Sequence, residues 1–331
     1  MLSGVAGFFR RQRIPYALMA PGLAWLLFFF VIPLAIMFVM SLRTGSLSEG
    51  FVLTWNFSIY PDSIADFSTQ FVRSFWFAGL ATGIALLIAY PLAYAIAFRA
   101  GRWKNALLFA VVAPFFTTYL IRTLAWTTIL DDASPAVDIL QFVGIIPEDG
   151  RILATTGAVI MGITYNFLPF MILPIYASLE RLDRGLIEAA QDLYASSRQA
   201  FLRVTLPLSM PGIVAGTLLT FIPAVGDYIN ATFLGGPGQF MIGNVIQNRY
   251  LTVNDYPTAA ALSFILMALI LVAVIVYLRF AGSETFMESA AGEGGAPPED
   301  GAPATAREPA PAPATRPAQA TAMSSSPEGA A

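Results

Sequence analysis

Six stretches of this chain are long and apolar enough to cross a lipid bilayer: 16–42, 72–98, 105–130, 154–179, 211–234 and 257–281. A hydrocarbon core asks for about 20 such residues per helix. With no water in that layer, every backbone N–H and C=O must be satisfied within the protein, so each stretch is expected to be helical. The fold class that follows is all-α, a polytopic membrane protein with six transmembrane helices. Composition agrees, with 56% hydrophobic and 12% charged residues, where a soluble domain carries about 25% charged residues. The first stretch follows FFRRQR. It is longer than the apolar core of about 7–15 residues in a cleaved signal peptide and lacks a clear A-x-A site, so it is expected to be a retained span.

Several chemistries are excluded by residue type. The chain has no Cys and no His. Disulfides, thiolate metal sites, zinc-protease signatures and Ser-His-Asp triads are therefore impossible. A single Lys, Lys104, lies in the context RWKN. A phosphate-binding P-loop needs Gly before its Lys and Ser or Thr after it. Trp103 and Asn105 occupy those places, so if ATP energy is used here, another chain must bind the ATP.

Sidedness is read from the basic residues, which favour cytoplasmic loops. Arg10, Arg11 and Arg13 precede the first span. Arg99, Arg102 and Lys104 fill the link between spans two and three. Arg181, Arg184, Arg198 and Arg203 lie between spans four and five, and Arg279 closes span six. The opposite loops hold Asp62, Asp66, Asp131, Asp132, Asp138, Glu148 and Asp149. Both termini and links 2–3 and 4–5 are expected on the cytoplasmic side. Beyond 281 the chain turns rich in Ala, Pro, Gly and Ser. Such a segment buries too little apolar surface to offset its ordering entropy, and a disordered cytoplasmic tail is expected. The boundaries are 1–70 for the N-terminus, first span and external loop, 71–281 for a five-helix membrane domain, and 282–331 for the tail.

The link between spans four and five holds EAAQDLYASSRQAFLRVTLPL, residues 188–208. Glu188, Ala189 and Ala190 read as a helix start, with acid favoured near the N-terminal end. Leu186, Ala189, Leu193, Ala200, Phe201 and Val204 are expected to share one side of that helix. Pro207 and Pro211 are expected to interrupt it before span five. Such a helix has three readings: it lies on the membrane surface, packs under its own bundle, or docks into a partner.

Glu188, Ala189, Ala190, Leu206 and Pro207 match the E-A-A…L-P pattern of the coupling loop in type I ABC importer permeases, the inner-membrane components of binding-protein-dependent transport. The chain resembles that family from about 71 to 280. The resemblance implies the type I permease fold and a coupling loop over 180–208, with Glu188, Ala189, Ala190, Asp192, Tyr194, Arg203, Leu206 and Pro207 as ATPase-coupling residues. The implied partners are a second permease subunit, an ABC ATPase dimer and an extracytoplasmic solute-binding protein, besides membrane lipid and no nucleic acid. No cofactor is implied on this chain, because ATP and Mg belong to the partner ATPase. The implied location is the bacterial inner membrane. The family places Gly where this chain has Tyr194. Gly takes φ > 0 freely and Tyr does not, so either the turn forms differently here or the helix runs on.

The stretches LIRTLAWTTIL, YNFLPFMILPIYASLERLD and FIPAVGDYINATFLGGPGQFMIGNVIQNRYLTVNDYPTAAAL resemble spermidine/putrescine permeases, which implies a polyamine solute. Related permeases carry other solutes. From the residues alone, Asp227 beside Tyr228 and Asn230 is an ionisable group at membrane depth, which is costly and tends to face a cavity or a partner. A carboxylate among aromatic rings suits an alkyl diammonium cation. Asp227, Tyr228, Asn230, Trp126, Tyr165 and Asn166 are the candidate substrate path. Two other readings of Asp227 stand beside it: a solvated interfacial carboxylate, or a structural ion pair with Arg122. Trp126 and Tyr165 also read as interfacial anchors, and Pro169, Pro174 and Pro223 as kinks, with gating points the other reading. An ion-coupled transporter acting alone, or a membrane-embedded enzyme using carboxylates, would leave the 188–208 stretch unexplained.

Overall fold

The computed structural model describes residues 19–144, 147 and 150–280. The basic residues Arg10, Arg11 and Arg13, the loop acids Glu148 and Asp149, and the tail 282–331 lie outside them. Four helices are each long and apolar enough to span a membrane, and two sharply bent helix pairs bring the number to six.

Helix α1 (Met19–Ser41) loosens into a π-helical turn at Leu27–Val31, just before Pro33. Proline has no N–H to give to the ladder, and a wider turn absorbs the loss. An antiparallel hairpin follows, β1 (Arg43–Ser46) paired with β2 (Gly50–Leu53), with Arg43 opposite Leu53. Nothing in the apolar pattern announces this hairpin. Helix α2 (Ile59–Phe98) runs for 40 residues with a kink at Phe67. At 1.5 Å per residue it is about 60 Å long, about twice the hydrocarbon thickness. The expected span 72–98 is thus the inner part of a longer rod.

Span three is not one helix. Helices α3 (Gly101–Phe116) and α4 (Tyr119–Ile129) meet at 94°. Pro114 lies in the last turn of α3, and Thr117 and Thr118 are extended. Proline there leaves a carbonyl of the preceding turn without its donor, and the helix gives way within four residues. After the short α5 (Pro135–Phe142) comes α6 (Thr156–Glu180), which passes through Pro169 and Pro174 without a break. The link between spans four and five carries α7 (Arg184–Asp192) and α8 (Ser197–Leu208). Span five is also divided. Helix α9 (Met210–Val225) ends two residues after Pro223, and a short α10 (Ile229–Phe233) continues beyond Gly226–Tyr228. Helices α11 (Ile242–Leu251) and α12 (Tyr256–Phe280) complete the chain.

The core is the meeting of α2, α6 and α9. Ala81, Ala85, Ala89, Ala93 and Ala97 recur every four residues along α2, and all are buried. The last four pack with Met171, Ile172, Ile175 and Leu179 of α6 and Ile213 of α9 at one end, and Ala81 belongs to the cluster at the other end. Phe77, Ile163, Phe167, Val225 and Leu234 join the cluster at the other end. Between helices in lipid, association relies on close packing, which small residues permit. Helix α1 stands outside this core and touches α12 through Phe38, edge-on to Phe264 with ring centroids 5.5 Å apart.

The two basic links lie at one end of the molecule: Lys104 pairs with Glu180, and the Arg184 guanidinium donates to the Ala97 carbonyl at 3.2 Å. Loops of the opposite kind pair at Arg151–Asp132, 2.7 Å, and Arg249–Asp255, 3.4 Å.

Small residues are expected to be indispensable where α9 meets α6. A Cβ on Gly212 would lie 2.6 Å from the Pro174 carbonyl oxygen and 2.6 Å from Ser178 Cβ, while one on Gly79 meets nothing within 4 Å. Gly212→Ala should destabilise by about 1–3 kcal/mol, the usual cost of overpacking. Gly79→Ala should be neutral or mildly stabilising. Thermal unfolding of the two variants in detergent tests this.

Candidate functional site

Two groups of predicted residues emerge at opposite ends of α9. At the N-terminal end of α9, 188–208 does not form the single helix expected. Helix α7 starts earlier, at Arg184, because the Asp183 carboxylate accepts the Gly185 N–H at 2.9 Å and caps it. Glu188 therefore stands one turn inside the helix instead of at its start. Helix α7 stops at Asp192, and α8 opens with a reciprocal cap: Ser196 Oγ accepts the Gln199 N–H at 3.3 Å, and Gln199 Oε1 accepts the Ser196 N–H at 2.9 Å. With a turn between them, the apolar residues on either side cannot share one helical face.

Tyr194 makes that turn. Its φ is +62°, the left-handed region where Gly is at ease. The turn therefore forms at the family's glycine position, with a tyrosine in it. Two hydrogen bonds hold it: the Tyr194 N–H donates to Gln191 O at 3.0 Å and the Ala195 N–H to Ala190 O at 3.1 Å. This is the Schellman pattern that closes many helices. The ring packs against nothing among the described residues, since Tyr194 is 98% exposed. Glu188, Ala189 and Asp192 are exposed as well, Ala190 is half-buried, and Arg203 and Pro207 are exposed around the half-buried Leu206.

The loop is tied to the spans at three points. Arg184 reaches the end of α2 at the Ala97 carbonyl and lies over the Phe98 ring at 5.5 Å. Phe201 meets the rings of Tyr90 and Tyr94 edge-on at 5.7 and 5.9 Å. Tyr90 also shares a 3.0 Å hydrogen bond with Ser209 Oγ, at the 60° bend between α8 and α9. Phe201–Thr205 is a π-helical turn, and Pro207 follows it just as Pro33 follows the one in α1.

At the other end of α9 lies a buried polar network. Asp227, 7% exposed, occupies the gap between α9 and α10. Its Oδ1 accepts the N–H groups of Ile229 at 2.9 Å and Asn230 at 3.2 Å. Its Oδ2 accepts the Tyr119 hydroxyl and the Asn230 side-chain amide, both at 2.6 Å. Asn230 Oδ1 accepts from Asn166 Nδ2 at 3.2 Å and from Thr123 Oγ1 at 3.3 Å. Asn166 Oδ1 is buried without a partner among the described residues. Gly162 allows α10 to approach, because a Cβ there would fall 2.7 Å from Asn230 Oδ1.

Of the six residues expected along a solute path, Asp227, Asn230 and Asn166 come together in this network. Trp126 and Tyr165 pair edge-on at 5.3 Å, on the helices that supply Thr123 and Asn166. Tyr228 enters through its main chain, its carbonyl accepting from Asn244 Nδ2 at 3.0 Å and from Thr232 Oγ1 at 2.7 Å. Arg122 makes no ion pair with Asp227 among the described residues. Its guanidinium lies over the rings of Phe115 at 4.7 Å and Tyr119 at 5.7 Å. Tyr119 and Thr123 were not foreseen. Their signal is polar side chains at positions 119, 123 and 126, four and then three apart, along one face of an apolar helix.

The family described as binding-protein-dependent transport system inner membrane component has a model that matches residues 2–282. The chain is 39% identical over 264 residues to the spermidine/putrescine transport system permease protein PotB of Haemophilus influenzae, covering 77% of this chain and 90% of that one. It is 40% identical over 200 residues to PotB of Escherichia coli K12, covering 60% and 73%. It is 36% identical over 221 residues to the E. coli inner membrane ABC transporter permease protein YdcU, covering 63% and 69%. A chain in the crystal structure of a bacterial ABC transporter that imports the polysaccharide alginate shares the fold. Its TM-score is 0.59 at 19% identity, over 84% of this chain and 98% of that one.

The turn at Tyr194 should accept glycine and reject proline. Tyr194→Gly keeps the N–H and suits the positive φ, whereas Tyr194→Pro deletes the donor to Gln191 and fixes φ near −65°. Hydrogen exchange over 184–200 is expected to leave the Ala195 amide protected in the first variant and to expose it in the second.

Proposed function

The chain belongs to the family of inner membrane components of binding-protein-dependent transport systems, and on that premise we propose that it is the permease subunit of a polyamine importer, carrying putrescine or spermidine. It is a multi-pass membrane protein. Its termini face the cytoplasm, and it acts with a second permease subunit, a pair of ABC ATPase subunits and an extracytoplasmic solute-binding protein. Residues 180–208 dock on the ATPase, and Asp227 lies on the solute path.

The observation that carries the solute class is a carboxylate inside the spans, between α9 and α10, with aromatic rings and amides around it. The names of the PotB relatives support the same class. An ammonium about 4 Å from a carboxylate gains about 4 kcal/mol at an effective dielectric constant of about 20, before its dehydration is subtracted. The net attraction is smaller, as suits a site that has to release what it receives. The exposed α7, with small residues at Ala189 and Ala190, offers a surface that another chain can approach closely. Its ties to α2 and α9 supply a mechanical route from that surface into the bundle.

Asp227→Asn is expected to slow the initial uptake of labelled putrescine and spermidine several-fold, in membranes matched for the assembled complex. Uptake of both at the unaltered rate would make the carboxylate structural. At the cytoplasmic end, Ala189→Arg combined with Ala190→Arg should reduce copurification with the ATPase or separate its activity from transport, while membrane insertion persists. Normal assembly and normal uptake would reduce α7 to a plain surface helix.

A further inference from the structure

An ionised carboxylate offers about four lone-pair sites, and Asp227 meets four donors: Ile229 N–H, Asn230 N–H, the Asn230 amide and the Tyr119 hydroxyl. The first three come from the segment that follows Asp227 itself. Tyr119 alone comes from another span, at the start of α4 just after the 94° break. Its hydroxyl is also bonded to by the Asn230 amide at 2.6 Å. The contact lies towards the outer face, because α9 begins at the loop end and its 16 residues carry the chain about 24 Å before Asp227.

We infer that the Tyr119 hydroxyl is a displaceable lock on Asp227, holding α4 against the α9–α10 junction until a cationic amine takes its place. The inference rests on the reading of Asp227 as part of the solute path. The exchange is physically reasonable because hydrogen bonds between two charged groups are stronger than those with a neutral donor. A primary ammonium brings three N–H donors. One replaces the hydroxyl on Asp227 Oδ2, and the buried Asn166 Oδ1, which has no partner among the described residues, is an acceptor for another. The released hydroxyl also has a destination. Arg122 lies one turn along α4 with its guanidinium over the Tyr119 ring, and its Nε and Nη1 are buried without partners among the described residues. Tyr119 then passes from Asp227 to Arg122, and the tie between α4 and α10 is broken. The weaker Asn230–Thr123 bond, at 3.3 Å, is the remaining link between those two helices in this network.

The test uses the complete complex and exploits the absence of native cysteine from this chain. Ala231→Cys introduces a thiol on α10 at a position that is 0% exposed and carries no hydrogen bond of the network, and its labelling by a membrane-impermeant thiol reagent from outside reports opening. Without solute, labelling should be slow. Adding Tyr119→Phe, which keeps the ring and deletes the hydroxyl, should speed it roughly ten-fold, the ordinary worth of a hydrogen bond to a charged group. Adding Asp227→Asn instead should speed it similarly. Putrescine uptake, measured in the single variants, should fall further in Asp227→Asn than in Tyr119→Phe. Labelling that neither variant changes, at matched levels of complex, overturns the lock. If Tyr119→Phe does not accumulate, the labelling of the Asp227→Asn complex decides alone. Faster labelling together with normal uptake in Asp227→Asn would leave the lock standing and remove Asp227 from the solute path, so the two readings fail separately.

Discussion

Backbone polar groups inside a bilayer have no water to turn to, and everything distinctive in this protein follows from where that requirement is met outside a regular helix. Spans one, two, four and six meet it by remaining helical. Spans three and five do not. In span five the ladder stops at Val225, and the side chain of Asp227 takes over by accepting the N–H groups of Ile229 and Asn230. The same carboxylate then reaches the Tyr119 hydroxyl just beyond the break in span three. The two interruptions thus support each other, and the polar residues that repair them form the candidate solute site. A site of this kind needs no pocket added to the fold, because the break and the site are one structural event.

Helix α9 gives this arrangement its reach. It is anchored against α6 through Gly212 and Gly216, where a Cβ on the latter would lie 3.0 Å from both the Met171 carbonyl oxygen and Met171 Sδ. Backbones that close move together or not at all, since packed interiors yield little. One end of α9 meets the 180–208 loop at Ser209, which is bonded to Tyr90, and the other end meets Asp227. On the proposed coupling role of the loop, its displacement would reach the network as a shift or tilt of a short rod. The π-helical turn at Phe201–Thr205 lies directly before the bend, where the helix is already opened and can take up a change of angle.

Much of this was legible in the sequence. Long apolar runs give the spans because one requirement, backbone satisfaction, dominates in lipid. The basic links at 99–104 and 181–203 fall at one end of the structure, as the sidedness rule expects. The breaks were not legible. Pro114 and Pro223 look no different from Pro91, Pro169 and Pro174, which their helices carry without interruption. What separates them is the supply of alternative partners, such as Asp227 for the N–H groups after α9, and that supply comes from tertiary contacts. Tyr119 and Thr123 were missed for the same reason, since a tyrosine and a threonine in an apolar run are ordinary until a carboxylate and two amides face them. Tyr194 shows the reverse error. Steric preference argued against a left-handed tyrosine, at a cost of about 1–2 kcal/mol, but two closing hydrogen bonds and capped helices on both sides fix the turn regardless.

The saturation of Asp227 also bears on how strongly such a site binds. A bare carboxylate at membrane depth would hold a cation too firmly for rapid passage, and it would be costly to bury in the first place. Four donors remove most of that cost in the resting state. They also set the attraction felt by an incoming ammonium, because it gains only the difference between its own contact and the one it replaces. Three of those donors belong to the chain around Asp227 and stay with it, so the carboxylate is still partly satisfied when the amine arrives. On the proposed reading of Asp227 as part of the solute path, the result is a shallow, charge-selective site, and the hydrogen bonds that make the broken span stable are the same ones that keep it shallow.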